Sequence, residues 1–166
     1  MTRLPATATR GGDDGARMAA ALMGFVRDFG LLQPDRTPCG KPLTVTQAHA
    51  LAVIAAQPGI SQRDLGDTLG LARATTSELV TQLARRGWIS QSQSISDRRQ
   101  RSIELTPTGR RITDDVAQAR QSLMSDLLAD LPSDDRAQLV AAVELLADTV
   151  HRQRGRNNDI AEHQAS

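Results

Sequence analysis

The fold is decided by residues 61–87, which read SQRDLGDTLGLARATTSELVTQLARRG. Ser61 is a favourable N-cap with an acidic residue at the capping-box spacing, and leucines then recur on one helical face. Gly70 follows where a left-handed C-terminal residue ends a helix. A second helical run over 73–86 begins almost at once and ends before Gly87. Two short helices joined by a tight, glycine-containing turn predict a helix-turn-helix.

Upstream of this motif the sequence predicts two helices joined by a loop. The first helix carries apolar residues at three- and four-residue spacings, namely Met18, Leu22, Phe25, Val26 and Phe29. The prolines within 31–43 predict a loop, because proline lacks an N–H donor and restricts the residue before it. Thr44 then begins the second helix as its N-cap, with Gln47 at the capping-box position.

Downstream of the motif the sequence predicts a β-hairpin followed by two helices. Short apolar patterns at 88–89 and 102–105 are separated by a polar stretch, which is typical of a hairpin with a long loop. Pro107 lies in the first turn of a long helix that Pro132 ends. A final helix is predicted over 134–151. The apolar stripes near the two chain ends need a cover, and a second copy of the chain is the simplest one.

Composition and charge favour a helical domain that binds a polyanion. The chain has 166 residues, enough for one core, and only 2% of them are aromatic, so small aliphatic side chains must fill that core. The net charge of +1 conceals a division along the chain. Residues 61–111 carry nine arginines and five acids, a net +4, whereas residues 112–151 carry a net −6. A basic middle beside an acidic flank indicates a polyanion-binding unit on a separate scaffold.

Several classes of protein are excluded by the absence of their patterns. The single cysteine, Cys39, cannot form an internal disulfide. No apolar stretch approaches the roughly 20 residues of a membrane span, and no secretory signal is recognisable, so a cytoplasmic protein is expected. No glycine-rich phosphate loop, nucleophile elbow or catalytic constellation occurs, so neither an enzyme nor a cofactor is expected.

Residues 43–109 resemble the DNA-binding lobe of the MarR family of transcription regulators. The resemblance rests on the order and spacing of short motifs: LTVTQ at 43–47, SQRDL and LGL within 61–71, LVTQL and RGWI within 79–89, DRR at 97–99, and LTPTG at 105–109. The element from DRR to LTPTG is the most specific. The resemblance implies a homodimer in which the first and last helices of both chains interlock and two winged lobes bind a near-palindromic operator.

The predicted fold is therefore mainly α with a small β-hairpin wing, a winged helix-turn-helix whose N- and C-terminal helices form the dimerisation region. The predicted segments are a flexible N-terminal arm at 1–12, an N-terminal dimerisation helix and loop at 13–43, the DNA-binding lobe at 44–109, C-terminal dimerisation helices at 110–152, and a flexible tail at 153–166.

The second helix of the motif is expected to enter the major groove. Its DNA-binding candidates are Arg73, Ala74, Thr75, Thr76, Ser77, Gln82 and Arg86. Arg73 can pair with guanine, and serine or threonine can serve several bases. Gln82 and Arg86 are expected near backbone phosphates. The alternative is a solvated helix end. Ala72 at the N-cap and Thr76 at a usually apolar position depart from the family pattern.

The hairpin loop is expected to form a cationic wing. Its candidates are Asp97, Arg98, Arg99 and Arg101. Cationic side chains are attracted to the strongly negative, narrow minor groove. The resemblance implies that Asp97 orients Arg99 into that groove, and the alternative is a solvated polar hairpin.

Cys39 and His49 are candidates for a redox or ligand site. Cys39 lies in the loop before the second helix, and a reactive thiolate there would depend on a nearby cation such as Lys41. The alternative is that Cys39 is a small apolar filler. The remaining histidines complete no ligand pair, so no metal site is expected.

The sequence as a whole predicts a sequence-specific, ligand-responsive repressor that binds its operator as a homodimer. Its expected partners are double-stranded DNA, a second copy of the chain, and a small-molecule effector for which the sequence carries no signature. Three alternatives stay open. One is a non-specific architectural DNA-binding protein, which the net charge of +1 disfavours, and another is a redox-sensing regulator acting through Cys39. The third is a winged-helix module that binds only protein partners, which the cationic wing disfavours.

Overall fold

The computed structural model describes residues 10–93 and 101–164. The elements in this part of the chain are α1 (Arg10–Asp28), α2 (Val45–Ala56), β1 (Ile60–Ser61), α3 (Gln62–Leu69), α4 (Arg73–Arg85), β2 (Ile89–Gln93), β3 (Arg101–Leu105), α5 (Pro107–Ala129) and α6 (Ser133–Gln164). The predicted fold class, mainly α with a small wing, is confirmed. The chain divides into two compact units, with the boundary between Gln121 and Ser122.

Helix boundaries follow the predicted capping residues closely. The Thr44 hydroxyl accepts from the N–H of Gln47 at 3.1 Å, and the Gln47 side chain accepts from the N–H of Thr44 at 3.1 Å, which completes the capping box of α2. Ser61 caps α3 by accepting from the N–H of Asp64. Gly70 ends α3 with a φ of 66°, a left-handed conformation that favours glycine.

The core of the first unit is built by α2, α3, α4 and the sheet. Each of these elements contributes a fully buried large side chain, and these are Leu51, Ile54, Leu65, Val80, Leu83 and Ile103. Burying a side chain of this size stabilises a fold by about 1.5–3 kcal/mol. The packing fixes α3 and α4 against one another as a helix-turn-helix.

The sheet has three strands in the order β1-β3-β2, all antiparallel. The predicted hairpin is β2 and β3, in which Ile89 pairs with Leu105. The short strand β1 was not predicted. It spans only two residues, Ile60 and Ser61, which is too short for an alternating pattern, and it joins the sheet by pairing Ile60 with Ile103.

Two predicted terminal segments are corrected by the structure. Residues 153–166 were expected to form a flexible tail, but α6 continues to Gln164. No proline follows residue 151, and arginine, glutamine and alanine there have high helix propensity. The predicted arm 1–12 overlaps α1, which begins at Arg10 with Asp13 in its first turn, where a negative charge favours the helix dipole. Residues 1–9 of that predicted arm lie outside the described residues.

Candidate nucleic-acid interface

Helix α4 has one buried face and one exposed face. The buried side chains are Thr76, Leu79, Val80 and Leu83, which pack into the core. On the opposite side, at three- and four-residue spacings, lie the exposed residues Ala74, Glu78, Thr81 and Arg85, here called the outer face of α4. A helix held by one face and open on the other has the form that enters a major groove about 12 Å wide.

Most of the predicted base-contacting residues are available at the start of α4. Arg73, Ala74, Thr75 and Ser77 are all exposed there. The N-cap residue, Ala72, forms no side-chain cap, as its identity requires. The first N–H groups of α4 therefore lack a side-chain acceptor at the N-cap, and an anion can approach them.

The prediction that Thr76 belongs to the DNA-binding set is wrong. Its side chain is 1% exposed, and its hydroxyl donates to the carbonyl oxygen of Ala72 at 3.0 Å. A β-carbon at Gly66 of α3 would lie 2.7 Å from that hydroxyl oxygen, so glycine is what allows the two helices to approach this closely. Thr76 therefore joins α3 to α4 and cannot reach DNA.

Gln82 is held by protein side chains on both sides of its amide. Its Oε1 accepts from Nε2 of Gln47 at 3.2 Å, and its Nε2 donates to Oε1 of Glu78 at 3.3 Å. Gln47 and Glu78 were not among the predicted site residues. The four-residue spacing of Glu78 and Gln82 is a signal that could have linked them. The contact between Gln47 and Gln82 is tertiary, so no local pattern reveals it.

Arg86 is the C-cap residue of α4 and lies three residues before Ile89, where β2 begins. Its guanidinium carbon is 4.7 Å from the centroid of the Trp88 ring, a cation–π arrangement that restrains a long, flexible side chain. Arg86 remains exposed, so its predicted contact with a phosphate stays a prediction.

The wing is fixed at its base by the LTPTG segment. The Thr106 hydroxyl donates to the carbonyl of Gly87 at 2.7 Å and accepts from the N–H of Gly109 at 3.0 Å, so it caps α5 and ties it to the end of α4. A β-carbon at Gly109 would overlap the Trp88 carbonyl oxygen. The close approach of α5 to Trp88, the residue before β2, therefore requires glycine.

Most of the predicted wing residues are not described by the structure. Asp97, Arg98 and Arg99 lie outside the described residues. Arg101 begins β3 and pairs with Gln93 in the ladder. Below the tip, the hydroxyls of Ser92 and Ser102 are 2.8 Å apart, which links the two strands across the hairpin.

Comparisons with known proteins agree with this architecture. Residues 41–100 match the sequence model of the MarR family. The PcaV transcriptional regulator from Streptomyces coelicolor has a structure of TM-score 0.63 at 26% sequence identity, over 82% of this chain and 97% of that chain. Residues 41–100 of the chain are thus similar in sequence to the MarR family, and the fold is similar to that of PcaV.

One further relative and a second PcaV structure carry names that describe a role or a ligand. A protein of Thauera aromatica, named as a transcriptional regulator for the hcr operon, is 31% identical over 96 residues, or 58% of this chain. The match also spans 58% of the Thauera protein's length. A second PcaV structure, in complex with its natural ligand, matches with a TM-score of 0.57 at 26% identity, over 90% of this chain and 99% of that chain.

The MarR family that residues 41–100 match consists of DNA-binding transcription regulators rather than enzymes, in agreement with the prediction from the sequence. Among the described residues, no helix combines the length and the apolar character needed to cross a membrane.

Cys39 and His49 are not brought together as a site. Cys39 is half-buried, with its Sγ 3.1 Å from the buried Thr37 hydroxyl, whereas His49 lies on the exposed side of α2. Neither forms a hydrogen bond to the other within 10–93 and 101–164. The same residues hold no group of three or more side chains that could bind a metal ion. A redox or ligand role for Cys39 and His49 stays a prediction.

Proposed function

We propose that this protein is a sequence-specific transcription regulator of the MarR type that inserts α4 into the major groove of its operator. One observation carries the proposal: α4 is clamped to the core by one face, while Arg73, Thr75 and Ser77 are exposed at its N-terminal end. In a helix-turn-helix protein this end of the second helix contacts base edges. Chromosomal DNA as the target places the protein in the cytoplasm.

The proposed wing contact adds affinity outside the major groove. Arg98, Arg99 and Arg101 supply cations on one hairpin, and Asp97 orients Arg99 toward the minor groove. Gln82 and Arg86 contact backbone phosphates, which positions the lobe without reading sequence.

The proposed assembly is a homodimer. In the first unit, Met18, Leu22, Met23 and Phe25 of α1 are exposed. In the second unit, the exposed apolar side chains are Met124, Leu127, Leu139, Val140, Val143, Leu145 and Val150. Apolar helix faces of this extent need a cover, and a second copy of the same chain supplies identical faces through a two-fold axis. Two-fold symmetry in the protein then matches a near-palindromic operator.

The proposed mode of regulation is repression released by a small molecule. The dimer occupies an operator that overlaps a promoter, and an effector shifts the protein toward a state whose two recognition helices no longer fit. PcaV, which has been solved with its natural ligand, supports an effector of this kind. The effector must bind the two states unequally, since equal affinity would move nothing.

The test is a fluorescence anisotropy titration at physiological salt. The probes are the upstream intergenic DNA of the gene and a scrambled duplex of the same composition. We expect a preference of about a thousandfold or more for the native fragment. The preference falls in Arg73→Ala and in Arg99→Ala. The control variant, Arg17→Ala, removes an equal charge from an exposed position in α1 and leaves the preference unchanged.

The other outcomes of this titration favour different functions. Equal affinity for both duplexes favours the architectural alternative, because phosphate contacts alone carry no sequence information. Failure to bind either duplex contradicts the proposal.

A further inference from the structure

A carboxylate stands in the middle of the surface proposed to face DNA. Glu78 lies on the outer face of α4 and is the single acidic residue of that helix. A carboxylate brought toward phosphates is repelled by them and has no donor of its own, so a hydrogen bond that it accepts from the DNA is needed to offset that repulsion. A base edge in the major groove offers such donors.

Three hydrogen bonds in series lead from the buried start of α2 to this carboxylate. The N–H of Thr44 donates to Oε1 of Gln47 at 3.1 Å, so the Gln47 amide must present its Nε2 on the other side. That Nε2 donates to Oε1 of Gln82 at 3.2 Å. The Gln82 Nε2 then donates to Oε1 of Glu78 at 3.3 Å. Each bond fixes the orientation of the next amide.

The buried end of the series makes this orientation rigid. Gln47 is 4% exposed, so water cannot replace its partners, and an unsatisfied amide at this position would cost about 1–3 kcal/mol. Reversing the Gln82 amide would place its NH2 group against the NH2 group of Gln47. Gln82 therefore has a single favourable orientation, in which it donates toward Glu78.

The second carboxylate oxygen of Glu78 is left to accept from outside the protein. Within the described residues, the bond from Gln82 is the one hydrogen bond that the Glu78 side chain accepts, and no salt bridge includes that side chain. The side chain is exposed. The result is an acceptor with a fixed position on the face of α4 opposite the core.

We propose that Glu78 is a specificity-determining residue that accepts a hydrogen bond from the N4 amino group of a cytosine in each half-site. Gln82 and Gln47 act as positioning residues. Adenine is a poorer partner because its N6 donor lies beside the N7 acceptor, which repels a carboxylate. The inference rests on the proposed function, since it requires α4 to lie in the major groove.

The test is in vitro selection from a random duplex pool, followed by sequencing. The wild-type chain is compared with Glu78→Gln, Gln82→Met and Glu104→Gln. Glu104 is an exposed carboxylate of β3, so its variant controls for the loss of one negative charge. All four proteins are first compared by thermal melting and circular dichroism, which separates an effect on the fold from an effect on base choice.

The expected result is a change confined to one symmetry-related position of the enriched motif. Wild type selects cytosine there by roughly tenfold over other bases. Glu78→Gln changes the selection to adenine, because a glutamine amide both accepts from N6 and donates to N7. Gln82→Met removes the hydrogen bond that orients the Glu78 carboxylate and therefore lowers the cytosine preference at the same position. Glu104→Gln keeps the wild-type motif.

The outcomes distinguish a failure of the proposed function from a failure of the role proposed for Glu78. If wild type enriches no motif, the proposed function fails and the inference falls with it. If wild type enriches a motif that Glu78→Gln leaves unchanged, the proposed function stands and the role of Glu78 is wrong. If Gln82→Met keeps the full cytosine preference, Gln82 is not a positioning residue.

Discussion

Among single residues, Gly109 of the LTPTG motif is needed because its backbone packs directly against the backbone of Trp88. The segment from Leu105 to Gly109 is evident in the sequence, but the reason for its glycine is a contact with the Trp88 carbonyl 21 positions earlier. No local pattern encodes such a contact. Pro107, by contrast, lies in the first turn of α5 as the sequence alone predicts, and Thr106 before it caps the helix.

Replacing Gly109 by alanine should destabilise the lobe by about 1–3 kcal/mol, because the added β-carbon overlaps the Trp88 carbonyl oxygen. The measurement is the free energy of unfolding from urea denaturation. Gly15→Ala makes the same change in α1, where nothing lies within 4 Å, and should be neutral or stabilising. Equal effects of the two changes would disprove the packing role of Gly109.

At the scale of elements, the sequence predicts helix boundaries better than contacts between helices. The capping box of α2 and the left-handed Gly70 after α3 are where local patterns place them. The burial of Thr76 was missed, because its hydroxyl is satisfied within its own helix and Gly66 leaves room for it. Strand β1 was missed because its pairing with β3 is a tertiary event.

The contact between α3 and α4 gives a prediction at this scale. Gly66→Ala should destabilise the chain, since its β-carbon would lie 2.7 Å from the Thr76 hydroxyl oxygen. Thr76→Ala removes that oxygen. In a double-mutant cycle, the two changes together should cost less than the sum of the single changes by about 0.5–3 kcal/mol. Additive free energies of unfolding would mean that Gly66 and Thr76 do not constrain each other.

In the whole molecule, the exposed apolar helix faces are the basis of the proposed homodimer. The sequence indicates this from stripes that the lobe's own core does not use. It does not reveal how far the last helix extends, because the residues after 151 lack an apolar period and are recognised as helical only by propensity and the absence of proline.

If the chain is a homodimer, sedimentation velocity should give a particle of twice the 17.9 kDa chain mass. Val143 is 57% exposed in the single chain, so Val143→Asp has little effect on the fold of one protomer but should dissociate the dimer by burying a charge at its interface. Gln138→Asp introduces the same charge at another exposed position of α6 and should leave the dimer intact. A monomeric wild type would refute the proposed assembly.

Hydroxyl-radical footprinting on the upstream intergenic DNA shows whether two copies of α4 bind adjacent half-sites of one operator. We expect two protected segments related by two-fold symmetry on one face of the duplex, with centres about one helical turn apart, roughly 10 base pairs, or a multiple of it. Protection spread evenly along the fragment, or none at concentrations that saturate the anisotropy signal, would contradict it.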